Sequence, residues 1–473
     1  MRYELLAPEI LTAVLGLLVL ATGLLLPGRG KKAVGYITVI GLAAILITVM
    51  LNFRNEALFF DGVYQIDMYG NFFKTLFVGA ALLIFSMSTR YTDFFGQRKS
   101  EWFSFMIFAT VGMMIMVSSG DLITLYVGLE LMTISFYILS AYLLNDGLSA
   151  EAGLKYLIMG ALSSAVLLFG MSLVYAASGS TVFTEIYRAL SAASNQPILI
   201  AGIVMLIAGL GFKISAVPFH MWTPDIYQGA PTPVTAYLSV ASKAAGFAAL
   251  VRIFMVAFPY TQFNWNLALA VLAALTIVIG NLTALPQKNI KRMLAYSSIA
   301  QAGYILVGLV AANTYGLKGV LFYALLYVFS NVGAFAVTTM VEVETGSTDI
   351  EAFNDLGRRS PMLAAVMTVC FLSLAGIPPL AGFVGKFYLF SGAIQAGYLW
   401  LAFIGLLMSM ISVYYYLNVA KAMYIGKTEN TGSFSVPWAG KMALWVCLLG
   451  TIFLGVYPGP LSQITELAIG LFF

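Results

Sequence analysis

Apolar stretches of about 20 residues recur along the whole of this 473-residue sequence, and they limit its fold more than any other feature. A helix of about 20 apolar residues is needed to cross roughly 30 Å of bilayer hydrocarbon. Hydrophobic residues make up 61% of the chain and charged residues 9%, whereas a soluble domain carries roughly 25% charged residues. The sequence therefore predicts an all-α integral membrane protein whose apolar surface faces lipid.

Charged residues, prolines and glycines divide these stretches into about fourteen predicted transmembrane helices. The helices, numbered in chain order, are predicted near 4–27, 33–53, 70–90, 101–118, 121–144, 151–178, 198–222, 228–257, 264–285, 291–312, 316–342, 360–394, 397–425 and 436–458.

Basic residues fall unevenly on the two sides of the membrane if the loops alternate between them. Cytoplasmic loops carry the excess of Lys and Arg in membrane proteins. One side has Arg2, Arg54 and Arg188. The other side has Arg29, Lys31, Lys32, Arg90, Arg98, Lys99, Lys288, Lys291, Arg292, Arg358, Arg359, Lys421, Lys427 and Lys441. The bias predicts a multi-pass protein of the bacterial cytoplasmic membrane with both termini outside.

Predicted helices 7 and 12 are interrupted in a similar way. The chain reads GLGFKISAVPFHMW around Lys213 and SLAGIPPLAGFVGKFYLF around Lys386. Proline removes a backbone donor, so both helices should be discontinuous, with freed carbonyls facing protein or water. Corresponding breaks in two halves of a chain point to an inverted repeat with a transport path at its interface. The predicted units are the N-terminal helices 1–3 at 1–95, two five-helix repeats at 101–257 and 264–425, and helix 14 with a tail at 436–473.

Ionisable residues lie at membrane depth in several predicted helices. Glu130 is in the middle of helix 5, and a charge there costs roughly 2.5–3.5 kcal/mol on insertion scales. Lys213, Lys243 and Lys386 are similarly deep in helices 7, 8 and 12. A structural ion pair, or a carboxyl kept neutral by desolvation, would also explain Glu130. Several such groups in one chain favour a proton relay, because a buried lysine near a carboxylate can be poised to gain or lose a proton.

Two further residues are candidates for the relay. Lys155 follows Glu151 by four residues, a spacing suited to a helical ion pair, and it could equally be an interfacial lysine. His220 is the only histidine and follows the break in helix 7, where a hydrated imidazole could carry a proton. Asp225 is interpreted as a turn or cap residue.

Hydroxyl and amide side chains could complete a proton wire between the charged groups. Each of them alone is more often a helix-packing hydrogen bond than a transport residue. The candidates are Tyr237, Ser239, Ser242, Tyr296, Ser297, Ser298, Gln301, Tyr304, Tyr323 and Tyr327.

The sequence offers no cofactor site of its own. It has no Gly-rich phosphate loop, no Cys/His metal spacing, and only Cys370 and Cys447 as thiols, both in apolar stretches. The net charge of +4 gives no indication of nucleic-acid binding. We therefore expect no cofactor and no metal on this chain, and any energy from electron transfer must come through a partner.

Three segments are similar to one known family, the antiporter-like proton-channel subunits of respiratory complex I. They are GFKISAVPFHMWTPDIYQGAPTPVTAYLSVASKAAGF at 211–247, KRMLAYSSIAQAGY at 291–304 and LAGIPPLAGFVGKF at 374–387. The resemblance covers nearly the whole chain. It is closest to the subunit N pattern, since subunit M usually carries glutamate where Lys386 stands.

The resemblance implies residue roles. Glu130 and Lys213 match the family's pair on helices 5 and 7, Lys243 matches the central lysine of helix 8, and Lys386 matches the helix 12 lysine of the exit half-channel. Lys155 matches a further family lysine. The expected order is Glu130 as electrostatic trigger, Lys213 as partner and proton store, Lys243 as connector and Lys386 as donor to the outer side.

The resemblance also implies an assembly. NAD, FMN, iron-sulfur clusters and quinone would be bound by partner subunits of an NADH-quinone oxidoreductase, and this chain would contact sister antiporter-like subunits and lipid. A cation/proton antiporter subunit, a hydrogenase-linked or F420-linked relative, and a non-transporting assembly subunit remain open. The electron donor, the quinone type, the proton stoichiometry and any role of sodium leave no mark on the sequence.

Overall fold

The computed structural model of the chain describes residues 2–25, 32–192, 197–258, 265–428, 432 and 434–473, and these form a bundle of α-helices. In chain order the helices are α1 (Ala7–Leu25), α2 (Lys32–Leu51), α3 (Met68–Met87), α4 (Lys99–Ser118), α5 (Leu122–Ser140), α6 (Gly147–Ser178), α7 (Phe183–Ala192), α8 (Pro197–Ile214), α9 (Trp222–Gly229), α10 (Thr232–Tyr237), α11 (Lys243–Val256), α12 (Trp265–Ala284), α13 (Ile290–Ala311), α14 (Thr314–Thr345), α15 (Leu356–Arg359), α16 (Pro361–Ala375), α17 (Ala381–Gln395), α18 (Leu399–Ile425), α19 (Trp438–Val456) and α20 (Gly459–Ile469). A two-stranded antiparallel hairpin joins β1 (Ala57–Phe59) to β2 (Tyr64–Ile66).

In the described part of the chain, 13 helices are long and apolar enough to cross a membrane. Predicted helix 12 is not among them because a break divides it into α16 and α17, each of 15 residues. Counted with that broken helix, the spans match the fourteen predicted from the sequence, and the all-α membrane fold is confirmed. The two inverted repeats with their boundaries remain a prediction.

Several elements differ from the sequence prediction. Predicted helix 6 begins earlier, at Gly147, because the Asp146 side chain accepts a hydrogen bond from the Leu148 N–H and caps it. The hairpin, α7 and α20 were not predicted, since each is too short to give an apolar stretch of membrane length. Arg29, Lys31 and the predicted helix ends at 26–27 and 264 lie outside the described residues.

Glycine allows α4 and α5 to cross at very short range. A Cβ placed on Gly112 would lie 2.5 Å from the Met132 backbone nitrogen, and one on Gly128 would lie 2.7 Å from the Met116 nitrogen. Small residues permit this close backbone approach in membrane helices. The crossing fixes the height and rotation of α5, and therefore the position of Glu130 two residues after Gly128.

Two buried ion pairs fix the N-terminal helices, one within that group and one to the rest of the bundle. The Lys74 Nζ on α3 lies 2.5 Å from the Glu9 Oε1 on α1, and the Tyr64 hydroxyl donates to the same carboxylate at 2.8 Å. Arg252 on α11 binds both carboxylate oxygens of Asp67 at 2.8 and 3.0 Å. The sequence interpretation left these pairs out, although Lys74 and Arg252 interrupt apolar stretches just as Glu130 does.

Replacing Lys74 with Met should destabilise the packing of α1 on α3. Glu9 would keep a buried carboxylate without its cation, and loss of one partner of a buried ion pair typically costs about 3–5 kcal/mol. We expect a lower thermal unfolding midpoint for Lys74→Met, and recovery of most of the loss in the Glu9→Gln/Lys74→Met double variant, which leaves no buried charge. An unchanged midpoint in the single variant would contradict this role.

Candidate functional site

Glu130 and Lys213 lie in one polar cluster where α5, α6 and α8 meet. The Ser164 hydroxyl on α6 donates to the Glu130 Oε1 at 2.5 Å. Thr133, one turn after Glu130 on α5, accepts a hydrogen bond from the Lys213 Nζ at 3.1 Å. The ion pairs within 4 Å in the described residues do not include a direct Glu130–Lys213 contact, but the carboxylate acts electrostatically on the lysine. The two groups are therefore close neighbours separated by Thr133.

The break in predicted helix 7 follows Lys213 directly. α8 ends at Ile214, and Ser215 adopts a positive φ of 62°. The freed backbone groups bind protein side chains: the Phe212 carbonyl accepts from the Trp222 Nε1 at 2.9 Å, and the Val217 N–H donates to the Thr276 Oγ1 at 2.9 Å. The predicted discontinuity is confirmed, and its polar groups face protein as expected.

Lys243 begins α11 immediately after a short π-helical segment, Leu238–Ser242. Single π-helical turns within helices are frequent at functional sites. Lys243 is 3% exposed, and its Nζ donates to the Ser298 carbonyl at 3.0 Å and to the Ser298 Oγ at 2.6 Å. A small cavity beside it, lined by Ser298, Gln301 and Tyr327 among others, has room for about one water molecule.

The break in predicted helix 12 supplies the groups that hold Lys386. α16 ends at Ala375 and α17 begins at Ala381. The Lys386 Nζ donates to the carbonyls of Leu374 and Ala375 at 2.9 and 3.0 Å and to the Ser409 Oγ at 2.7 Å. Carbonyls at a helix C-terminus also carry the negative end of the helix dipole. The break therefore makes a cation-holding cage inside the bundle.

Gln301 connects the surroundings of Lys243 with those of Lys386. It lines the small cavity beside Lys243, and its Nε2 donates at 3.0 Å to the Leu374 carbonyl, which also accepts from Lys386. The Tyr323 hydroxyl donates to the Gln301 Oε1 at 2.5 Å. A continuous set of polar contacts, with one water-sized gap, therefore joins the two lysines.

His220 lies in the helix 7 break, as predicted, and is 8% exposed. Lys243 acts electrostatically on it. Its Nδ1 is buried, and no hydrogen-bond partner for that atom lies within the described residues. The imidazole therefore lies in the helix 7 break within electrostatic range of Lys243, and its Nδ1 has no hydrogen-bond partner among the described residues.

Lys155 belongs to a separate charged group at the end of the bundle where α6 begins. Its Nζ is 2.7 Å from both the Glu151 and the Asp225 carboxylates, and Asp225 also binds the Arg292 Nη1 at 2.7 Å. The interpretation of Asp225 as a turn or cap residue is wrong, because its side chain bridges two cations on different helices. These charges line an open cavity of about 150 Å³.

The proposed wire residues divide into those near the lysines and those elsewhere. Ser298, Gln301, Tyr304, Tyr323 and Tyr327 surround Lys243 and Lys386. Ser297 bonds to Tyr416, Ser239 accepts from Asn331, Tyr237 bonds to Thr110, Tyr296 lies beside Arg292 and Ser242 is buried one residue before Lys243.

The sequence interpretation missed the hydroxyls that hold the charged groups. Thr133 binds Lys213, Ser164 binds Glu130 and Ser409 binds Lys386. Serine and threonine are common in membrane helices, where they usually bond to the carbonyl four residues earlier. The sequence therefore does not distinguish these three residues from the other serines and threonines of the helices. Only their tertiary contacts do.

The arrangement can hold and pass protons. Lys213, Lys243 and Lys386 are 2–4% exposed, so desolvation opposes their charge while hydroxyl and carbonyl acceptors stabilise it. A change of charge at one group alters the proton affinity of the next when the groups interact. Among the described residues there is no group of three or more His, Cys, Asp and Glu that could hold a metal.

Known proteins resemble this chain along nearly its whole length. The family model described as "NADH:quinone oxidoreductase/Mrp antiporter, TM" matches residues 119–412. The chain is 50% identical to NADH-quinone oxidoreductase subunit N of Desulforamulus reducens, covering 99% of this chain and 98% of the relative. It is 40% identical to F(420)H(2) dehydrogenase subunit N of Methanosarcina mazei, covering 97% of each.

The chain is also similar in both sequence and fold to a chain of a solved structure. A chain of respiratory complex I from Thermus thermophilus, solved with bound aureothin, superposes with a TM-score of 0.83 at 35% identity. The match covers 96% of this chain and 98% of that chain.

Ser409→Ala should slow proton transfer through Lys386 without abolishing it. A hydrogen bond to a charged group contributes about 1.5–3 kcal/mol, and the two carbonyls that remain offset part of its loss. We expect roughly threefold to tenfold slower proton movement into sealed membrane vesicles. The matched control is Ser412→Ala, since that hydroxyl donates to the Ser409 main-chain carbonyl and makes no hydrogen bond to Lys386 within the described residues. Equal rates in the two variants would contradict the importance of the cage.

Proposed function

Because this chain belongs to the NADH:quinone oxidoreductase/Mrp antiporter membrane family, we propose that it is a proton-translocating membrane subunit of a complex I-type quinone oxidoreductase. It moves protons across the membrane, driven by electron transfer to quinone in partner subunits. Its identity of 50% to a subunit N over nearly the full length of both chains supports the subunit N type.

The observation that carries the proposal is the line of buried ionisable residues. Glu130, Lys213, Lys243 and Lys386 lie within membrane-spanning elements, and each is held by side-chain hydroxyls or main-chain carbonyls rather than by a fixed counter-ion. A purely structural charge is best paired with an opposite charge, as Lys74 and Arg252 are. Groups without a fixed partner can change charge at a smaller cost to packing.

Each group has a role that follows from its position. Glu130 is the electrostatic trigger, because it is half-buried at the edge of the bundle and acts on Lys213. Lys213 stores a proton beside it. Lys243 is the connector at the centre, and Lys386 is the donor to the outer side, reached through Ser298 and Gln301.

Transfer between these groups follows from electrostatic coupling. When Glu130 gains or loses its charge, the balance at Lys213 changes, and a proton can then move towards Lys243. His220 lies in the break between them and can take part, since one ring nitrogen has no described partner. Lys155 joins Asp225 and Arg292 near the membrane surface, a position suited to gathering protons for the relay.

The remaining chemistry belongs to other subunits. NAD, FMN, iron-sulfur clusters and quinone are bound by partners, and this chain has no redox active site of its own. Sister antiporter-like subunits and lipid cover its outer helix faces, where apolar side chains of α2, α6 and α18 are exposed. The protein lies in the bacterial cytoplasmic membrane, with both termini outside and the Lys- and Arg-rich loops inside.

Two alternative functions are each supported by one of the similarities to known proteins. The family includes Mrp antiporters, and a cation/proton antiporter subunit would use similar buried lysines without electron donors. The relative from Methanosarcina mazei is named as part of an F(420)H(2) dehydrogenase. Proton movement in vesicles that requires quinone and NADH favours the main proposal, whereas movement without an electron donor favours the antiporter.

Glu130→Gln and Lys213→Met should each lower quinone reductase turnover and proton pumping together. Each change removes a group that must alter its charge during turnover, and loss of a positioned proton-transfer group typically costs about 10²–10⁴-fold at its own step. Both rates are measured in inverted membrane vesicles after the assembled complex has been quantified. Exposed residues provide the controls, Glu351→Gln and Lys421→Met. Normal turnover and pumping in both test variants would mean that these charges are structural.

A further inference from the structure

Lys291 is a fifth buried lysine that the line of relay residues does not include. The sequence interpretation counted it among the basic residues of a loop, but it lies in the first turn of α13 and is only 3% exposed. The sequence did not predict this burial of the Lys291 side chain. Its neighbour Lys288, three residues earlier, is exposed.

The ammonium group of Lys291 has little to compensate its burial. Its Nζ donates to the Ala230 carbonyl at 2.6 Å, in the turn between α9 and α10. No salt bridge to it lies within 4 Å in the described ranges. Glu342 on α14 and Asp146 before α6 act on it electrostatically. A buried cation without a close counter-ion is costly, which makes a purely structural purpose a poor explanation.

Glu342 connects the neighbourhood of Lys291 to the surface with the Lys- and Arg-rich loops. It lies in the last turn of α14 and is partly exposed. Its Oε2 accepts from the Thr232 Oγ1 at 2.5 Å, and its Oε1 accepts from the Tyr91 hydroxyl at 3.4 Å. Thr232 is two residues after Ala230. The Glu342 carboxylate and the Lys291 ammonium group therefore bind the same turn of the chain, between α9 and α10.

Lys291 also shares a helix face with the residue that holds Lys243. Ser298 follows it by seven residues, which is two turns and about 10 Å along α13. Tyr227 lies on the facing side of α9, one turn before Ala230, and its hydroxyl is 3.5 Å from the Ser298 Oγ. The Lys243 Nζ lies 5.7 Å from the Tyr227 ring centroid and 2.6 Å from the Ser298 Oγ.

We propose that Lys291 is a further relay residue, the entry group through which protons from the inner side reach Lys243. A proton enters at the Glu342 carboxylate and moves to the neutral Lys291 amine. The Lys291 ammonium then gives a proton to the hydroxyl chain of Tyr227 and Ser298, and Ser298 gives its own proton to the Lys243 amine. One proton enters and one arrives, so no other reactant is needed.

This inference rests on the proposed function, and arginine provides the decisive substitution. Arginine keeps a permanent positive charge and several N–H donors, so it can still hold the Ala230 carbonyl, but it cannot release a proton. Lys291→Arg therefore separates a structural clamp from a relay, while Lys291→Met removes both. Lys288→Met is the matched control on the exposed surface.

The experiment measures NADH-driven quinone reduction and proton uptake in inverted vesicles containing the assembled complex. We expect both Lys291→Arg and Lys291→Met to lower the two rates roughly tenfold or more, and Lys288→Met to leave them unchanged. Normal rates in Lys291→Arg would overturn the proposal and show that Lys291 only anchors the turn. If Glu130→Gln lowers the rates and Lys291→Arg does not, the proposed function stands and this inference alone fails.

A second variant tests the path if either Lys291 variant prevents assembly. Tyr227→Phe keeps the buried ring and removes only the hydroxyl beside Ser298. The relay predicts rates lowered roughly threefold to tenfold, in line with the loss of one hydroxyl group of a proton path. Unchanged rates would overturn the path from Lys291 to Lys243.

Discussion

The cost of holding ammonium groups inside a helical bundle governs the arrangement of this protein. An α-helix satisfies its own backbone groups and so offers a buried lysine nothing to bind. In this protein, buried lysines obtain hydrogen-bond acceptors in two ways. Breaks in helices release carbonyls, as at Leu374 and Ala375 for Lys386, and neighbouring helices place hydroxyls at bonding distance, as Ser298 does for Lys243.

The same constraint separates the charges of the proposed relay from structural charges. Lys74 and Arg252 each have a carboxylate within about 3 Å, which stabilises the packing of α1, α3 and α11 but leaves the charge fixed. Within the described residues, the only hydrogen-bond acceptor of the Lys213 ammonium is the Thr133 hydroxyl, and Glu130 lies one turn before Thr133 on α5. The neutral partner holds such a cation in place. Its proton affinity can still change with the charge of the nearby carboxylate, as coupled titration requires.

Much of the fold could be predicted from the sequence because its causes are local. Apolar length gives the spans, and proline with glycine beside Lys213 and Lys386 gives the breaks. The hairpin, α7 and α20 have no such local cause. The partners of the charged residues depend on contacts between distant segments, so Ser164, Ser409 and the bridging position of Asp225 had no sequence signal. The sequence analysis counted Lys291 only among the basic residues of one membrane side, because its burial depends on a distant turn, where the Ala230 carbonyl accepts from it.

The central claim is that Glu130 changes its charge during turnover and that Lys213 responds. Infrared difference spectroscopy of the intact complex, recorded on quinone reduction, reports protonation of a single carboxyl through its C=O stretching band. The account predicts a carboxyl difference band that disappears in Glu130→Gln and changes in position or amplitude in Lys213→Met. An identical spectrum in the native complex and in Glu130→Gln would mean that Glu130 keeps one charge throughout, and would contradict the account.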